Sequence, residues 1–256
     1  MRQRSRDRNE LIVSYLFLRQ TVGWIGTLLP VVLLAGAAFT SAARPDSMSG
    51  YYYTDMRNTF VGTLCALGVF LVAYRGYDAV DEWITNVAGL AAIGVAFFPT
   101  KPAVCTTAAG ACPASSVTRL STSQQVVGDM HLGLAAITLI ALGLMALRFA
   151  KHGKPGDGIG PRFAGENVIY RASGITILGC VLLAALSNLL PASVKAHWPW
   201  LFIFEAAAVF AFGVSWFVKG RTIQGIRARI QKARRRGTAN TPDPETLLRV
   251  APGRTG

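Results

Sequence analysis

Residues 196–218 read AHWPWLFIFEAAAVFAFGVSWFV, a run of 23 residues in which Glu205 is the only member of the Asp, Glu, Lys and Arg group. A helix needs about 20 consecutive apolar residues to cross the hydrocarbon core of a bilayer. The run therefore predicts a membrane-spanning helix that carries one acidic side chain inside the membrane.

Five other runs of the same kind precede it in the chain, at residues 20–43, 58–74, 83–100, 126–147 and 172–194. The second and third runs, of 17 and 18 residues, lie at the short end of the range that spans a bilayer. The composition agrees, because 52% of the residues are hydrophobic and only 15% are charged, which is too apolar for an ordinary soluble domain. The sequence predicts an all-α polytopic membrane protein with six transmembrane helices.

The basic residues are distributed unevenly over the predicted loops and ends. Six crossings place both termini on one side, and 21 Lys and Arg residues fall on that side against five on the other. Because cytoplasmic loops are enriched in Lys and Arg, both termini are predicted to be cytoplasmic. The predicted location is a bacterial cytoplasmic (inner) membrane.

Three regions follow from this layout. Residues 1–19 form a basic cytoplasmic segment, 20–218 the transmembrane domain, and 219–256 a basic cytoplasmic tail. Residues 219–236 are expected to continue the sixth helix. This stretch would either lie as an amphipathic helix against anionic headgroups, or only fix the membrane topology through its positive charges. The tail turns polar and proline-rich after about residue 237, which predicts disorder there.

The four cysteines fall into two pairs. Cys65 and Cys180 lie inside predicted spans, where a thiol is normally a small apolar filler. Cys105 and Cys112 share one outer loop, CTTAAGAC, that would face an oxidising compartment. A disulfide between Cys105 and Cys112 is therefore predicted, with two unpaired thiols as the alternative.

Ionisable residues collect where spans two, four and six begin on the predicted outer side. Asp55 precedes span two, Asp129 and His131 open span four, and Glu205 lies inside span six. An acid inside the membrane is costly unless it is paired or hydrated. One interpretation is an acid/base or ion-binding site in an outward-facing recess, with catalytic candidates Glu205, His131, Asp129 and Asp55. The other is that Glu205 is protonated, or bonded to Asn188, Ser187 or Arg57, and locks the helices together.

Three further residues near this cluster are binding candidates, namely Tyr52, Arg57 and Asn188. No metal site and no cofactor is predicted, because the chain has only three histidines and no zinc-ligand spacing. Small residues four positions apart, Gly62 with Ala66 and Ala88 with Ala92 among them, are expected to mark helix contacts.

Several stretches resemble an uncharacterised family of small bacterial six-span membrane proteins. They are SMSGYYYTDMRNTFVGTLCALGVFLVAYRGYD (47–78), FPT (98–100), DMH (129–131) and FEAAAVFAFGVSWFVKG (204–220), and the resemblance extends over residues 15–220. The layout is also similar to the Frag1/DRAM/Sfk1 group of membrane proteins, which share six spans and a serine-containing first outer loop. The resemblance implies a six-span fold and no established activity, so no catalytic residue carries over.

The leading functional prediction is a non-enzymatic membrane component: a lipid- or partner-binding helical bundle, or an accessory subunit. Its partners would be membrane lipids, other membrane proteins or a second copy of itself, and not nucleic acid, since the basic residues follow topology and are not interleaved with stacking aromatics. The alternative is a membrane-embedded hydrolase or small transporter that uses an outward-facing acid and histidine site.

Overall fold

A computed structural model of the chain describes residues 2–40, 45–105, 116–151, 165–187, 189 and 198–239. Within these ranges the chain forms six α-helices, one short 3-10 helix at Ser49–Tyr53 and no β-strand. The helices are α1 (Arg2–Phe39), α2 (Arg57–Val72), α3 (Ala79–Phe97), α4 (Thr122–Lys151), α5 (Glu166–Ser187) and α6 (Trp200–Ala239).

Five of these helices are long and apolar enough to cross a membrane, namely α1, α3, α4, α5 and α6. The remaining helix, α2, is apolar but has only 16 residues. The predicted all-α class is confirmed for the described residues. The helices fit an integral, multi-pass membrane protein.

The helices are arranged as a closed ring in chain order. Each helix packs against the next one, α6 packs against α1, and α4 also touches α6 across the ring. The contact between α1 and α2 is less extensive than the other contacts between neighbours. One end of the bundle contains Glu205 and is called the Glu205 end; the other contains Arg148 and is called the Arg148 end.

Glycines allow the closest helix crossings. A Cβ added at Gly23 of α1 would lie 2.7 Å from the backbone nitrogen of Phe217 in α6. Gly68 and Gly89 face each other across α2 and α3, and a Cβ on either one would lie 2.6 Å from the carbonyl oxygen of the other. Inside a bilayer the hydrophobic effect does not drive helices together, so they associate through close backbone approaches of this kind.

The predicted small-residue contacts are confirmed only in part. Ala88 and Ala92 of α3 are both buried. Gly62 makes no helix contact within the described part of the chain, because it is exposed and a Cβ there would meet nothing within 4 Å. Gly62 occupies the outer face of α2, while Gly68 of the same helix faces α3.

The ends of α6 follow the sequence pattern. Pro199 directly precedes the first helical residue, Trp200, where a proline is well tolerated. The helix predicted over residues 219–236 is present, because α6 continues without a break to Ala239. The predicted disorder after residue 237 concerns mainly residues 240–256, which lie outside the described part of the chain.

Candidate functional site

Glu205 lies in the second turn of α6 and is bonded to the segment that joins α1 to α2. Its Oε2 accepts the backbone N–H of Met48 at 2.6 Å. In return, the carbonyl of Asp46 accepts the N–H of Phe202 in the first turn of α6, at 2.9 Å. The two segments therefore satisfy each other's backbone groups, because N–H groups at the start of a helix have no partner within it.

Residues 46–53, called the plug below, cover the Glu205 end of the ring. Tyr51 of the plug is fully buried, and its ring lies 6.1 Å from that of Phe202. Tyr53 donates its hydroxyl to the carbonyl of Thr100, just beyond the end of α3, at 2.6 Å. The plug is thus fastened to α6 and to the segment after α3, and it occupies the place where an outward recess was expected.

His131 and Asp129 of α4 contact the segment that follows α3. Nδ1 of His131 lies 2.6 Å from the carbonyl oxygen of Phe98, while Nε2 is buried with no hydrogen-bond partner among the described residues. Asp129 forms an ion pair of 2.5 Å with Lys101, and both side chains are largely exposed. No hydrogen bond or ion pair in the described ranges joins either residue to Glu205.

Two further candidates, Asp55 and Arg57, are exposed and directly follow the plug in the chain. Arg57 donates to the hydroxyl of Tyr52 at 2.6 Å, and its guanidinium lies 4.3 Å from the centre of that ring. Asp55 is exposed, and Asn188 lies outside the described residues. The pKa of Tyr53 is raised above its usual value, first by burial and then by Tyr52, against the opposing charge of Arg57.

Three of the four cysteines lie within the described residues. Cys65 and Cys180 are free thiols in α2 and α5. Cys105 is disulfide-bonded. Its predicted partner, Cys112, lies outside the described residues, so the pairing of Cys105 with Cys112 stays a prediction.

A cavity of about 70 Å³ lies inside the ring, directly beneath the plug. Met48, Ser49 and Glu205 line its upper end, and the remaining walls come from α1, α2, α3, α4 and α6. Most of the lining side chains are apolar, and the walls include Leu64, Leu139 and Val209. Left empty, a cavity of this size would cost on the order of 1–2 kcal/mol of stability.

The Arg148 end holds a second polar centre. Arg148, near the end of α4, donates through Nε to Asp81 and through a terminal nitrogen to Asp78 at 2.6 Å. Asp81 is fully buried and also accepts the backbone N–H of Tyr77 at 3.2 Å. Asp78 caps the start of α3 by accepting the N–H of Asp81 at 2.9 Å. One arginine therefore joins the end of α4 to the beginning of α3.

Two more basic residues are buried at the same end among aromatic rings. Lys219 of α6 places its ammonium group 4.9 to 5.3 Å from the ring centres of Tyr77, Phe149 and Tyr170. Arg19 of α1 donates to the hydroxyl of Tyr74 at 2.7 Å. Cations over aromatic faces are attracted by the ring quadrupole, and more strongly when water is excluded.

Sequence reasoning missed this second centre, since it assigned Arg19, Arg148 and Lys219 only to membrane topology. The available signal was the pair Asp78 and Asp81 directly after a predicted span, on the side where basic residues accumulate. Two acids at the start of a helix are a capping pattern, and in a membrane protein they also call for a basic partner.

The arrangement at the Glu205 end is suited to holding segments together. Three of its four catalytic candidates bond to backbone groups or to Lys101, and the described residues contain no group of three or more His, Cys, Asp or Glu side chains able to hold a metal ion. No family model, curated protein or solved structure matches the chain.

Proposed function

We propose that this protein is a non-enzymatic component of a bacterial cytoplasmic membrane, a six-helix bundle that binds lipid or a membrane partner or serves as an accessory subunit. The observation that carries the proposal is the bond between Glu205 and the plug. Glu205, the acid that the sequence places inside a span, accepts the backbone N–H of Met48, and the plug covers the expected recess.

In this proposal α2 is the sixth crossing. Its 16 residues extend about 24 Å at 1.5 Å per residue, less than the hydrocarbon core of about 30 Å. Local thinning of the bilayer can accommodate such a helix at modest cost. Six crossings and the excess of Lys and Arg on one side together support cytoplasmic termini.

The proposed partners are membrane lipids, other membrane proteins or a second copy of the chain, and not nucleic acid. We also propose that the chain belongs to the uncharacterised six-span family that its sequence resembles. The second candidate function is a membrane-embedded hydrolase or small transporter. It is favoured by one observation, the buried Nε2 of His131 that has no partner among the described residues, since an imidazole nitrogen of this kind can carry a proton.

Substitution of Glu205 separates the two functions. We expect Glu205→Ala to lower the free energy of unfolding by about 1–3 kcal/mol, because it leaves the N–H of Met48 buried without an acceptor. Glu205→Gln retains an oxygen that can accept this hydrogen bond, so it should be expressed and folded nearly as well as the wild type. The measurement is thermal unfolding of the purified protein in detergent, together with its yield from the membrane.

The hydrolase or transporter reading predicts another pattern. Glu205→Gln would then fold normally but fail to complement a strain that lacks the protein. That outcome would contradict a purely structural role for Glu205.

A further inference from the structure

We propose that the cavity beneath the plug is a binding site for the end of one acyl chain of a bilayer phospholipid, which enters between α1 and α2. This inference rests on the proposed function, since it specifies the ligand of a lipid-binding bundle. It depends on the chemistry of the walls, the size of the cavity and the packing of the ring.

The walls of the cavity offer little to a polar ligand. Two of the polar side chains among them already have partners: Glu205 accepts the N–H of Met48, and Thr138 donates its hydroxyl to the carbonyl of Leu134 at 2.9 Å. Most other lining side chains are apolar, among them Leu29, Phe60, Leu64, Val95, Leu139 and Val209. Apolar cavities of this kind remain free of water and take up apolar ligands.

The size of the cavity limits which part of a lipid can enter. Its volume of about 70 Å³ corresponds to two or three groups of the size of a water molecule, each of about 30 Å³. A methylene is of similar size, so the last carbons of an acyl chain fit, and a phosphate headgroup does not. The occupant is therefore the terminal end of the chain, with the headgroup remaining outside the bundle.

The contact between α1 and α2 provides the route. Leu29 of α1 lines the cavity and is buried, while the adjacent Leu28 is 44% exposed on the outer side of the same helix. On the other side of the contact between α1 and α2, α2 contributes Phe60, Leu64 and Leu67 to the cavity wall. Because α1 and α2 make the least extensive contact between neighbours in the ring, and the plug covers the Glu205 end, the bilayer is the nearest source of a ligand.

The test uses photolabelling of the full chain in nanodiscs. The nanodisc lipid is phosphatidylethanolamine with a diazirine at the end of one acyl chain, and the labelled residues are identified by peptide mass spectrometry after irradiation. We expect label on Leu64, Leu139 and Val209, in addition to the exposed residues Leu182 and Leu183 of α5.

Ala135→Leu fills the cavity and should lower the labelling of the three cavity residues at least fivefold, with labelling of Leu182 and Leu183 unchanged. The matched control is Ala172→Leu, at an exposed position of α5, which should change neither set. Leu139→Ala enlarges the cavity and should raise the labelling of Leu64 and Val209, and it provides an independent reading if Ala135→Leu does not fold.

Equal cavity labelling in the wild type and in Ala135→Leu would overturn the proposal. So would cavity labelling by a diazirine beside the headgroup, or by a free fatty acid probe when the phospholipid probe gives none. These outcomes are distinguishable from failure of the proposed function, because they concern the occupant of the cavity, whereas complementation by Glu205→Gln tests for chemistry at the acid.

Discussion

Gly213→Leu is expected to prevent α1 from packing against α6 and to be the most destabilising single substitution considered for this bundle. A Cβ at Gly213 would overlap the backbone nitrogen of Thr27 and would lie 2.8 Å from the carbonyl oxygen of Gly23. Both obstacles are helix backbone, which cannot move aside as a side chain can. We expect a loss of at least about 3 kcal/mol, at the upper end of the cost of overpacking.

The matched control is Gly62→Leu, the same change on the exposed face of α2, where no atom of the described residues lies within 4 Å of an added Cβ. Leucine has a higher helix propensity than glycine, so this variant should be at least as stable as the wild type. The stability of both variants is measured by thermal unfolding in detergent, with size-exclusion chromatography to monitor the folded fraction. Equal stability of the two variants would show that α1 and α6 do not cross at Gly213.

Asp81→Asn is expected to have the second-largest effect. Asp81 is fully buried and accepts from Arg148 Nε and from the N–H of Tyr77. The amide keeps the size of the side chain but removes its charge. The guanidinium of Arg148 then keeps its ion pair with Asp78. Breaking a buried ion pair on one side costs about 3–5 kcal/mol, and Asp78 should reduce this to about 3 kcal/mol.

Glu82→Gln is the control for this change, because it removes the neighbouring acid in the same turn of α3. Glu82 pairs with Arg75 at 3.4 Å, and the side chain of Arg75 is 80% exposed. Exposed pairs contribute about 0–1 kcal/mol, so the midpoint of thermal unfolding should barely change. An equal effect of the two substitutions would mean that Asp81 is hydrated and that Arg148 does not join α3 to α4.

Much of the fold can be predicted from the sequence, because membrane-crossing helices are defined by length and apolar composition alone. The run around Glu205 predicts α6 in this way, and the run at 126–147 predicts α4. The apolar composition of a run does not indicate which side of the helix faces a neighbouring helix. Gly62 and Gly68 lie in the same apolar helix, and only their positions around its axis decide that Gly68 approaches α3 and Gly62 does not.

The candidate site could be predicted only in part. The composition singles out Glu205 as an acid inside a span, but its partner is the backbone N–H of Met48, a donor that nearly every residue possesses, 157 positions away. Arg148 was missed for the opposite reason. Basic residues near helix ends follow the topology rule in any membrane protein, so the ion pair with Asp81 produces no additional pattern among them.

The central claim is that the chain crosses the membrane six times with both termini in the cytoplasm, and it is tested most directly by labelling the chain in its membrane. Single cysteines are placed at the two ends of the chain and at Asp55 in a cysteine-free background, and intact cells are treated with a membrane-impermeant maleimide. Six crossings with cytoplasmic termini predict labelling at position 55 and none at either end until the membrane is permeabilised. Labelling of one end and not the other in intact cells would mean an odd number of crossings and would contradict the account.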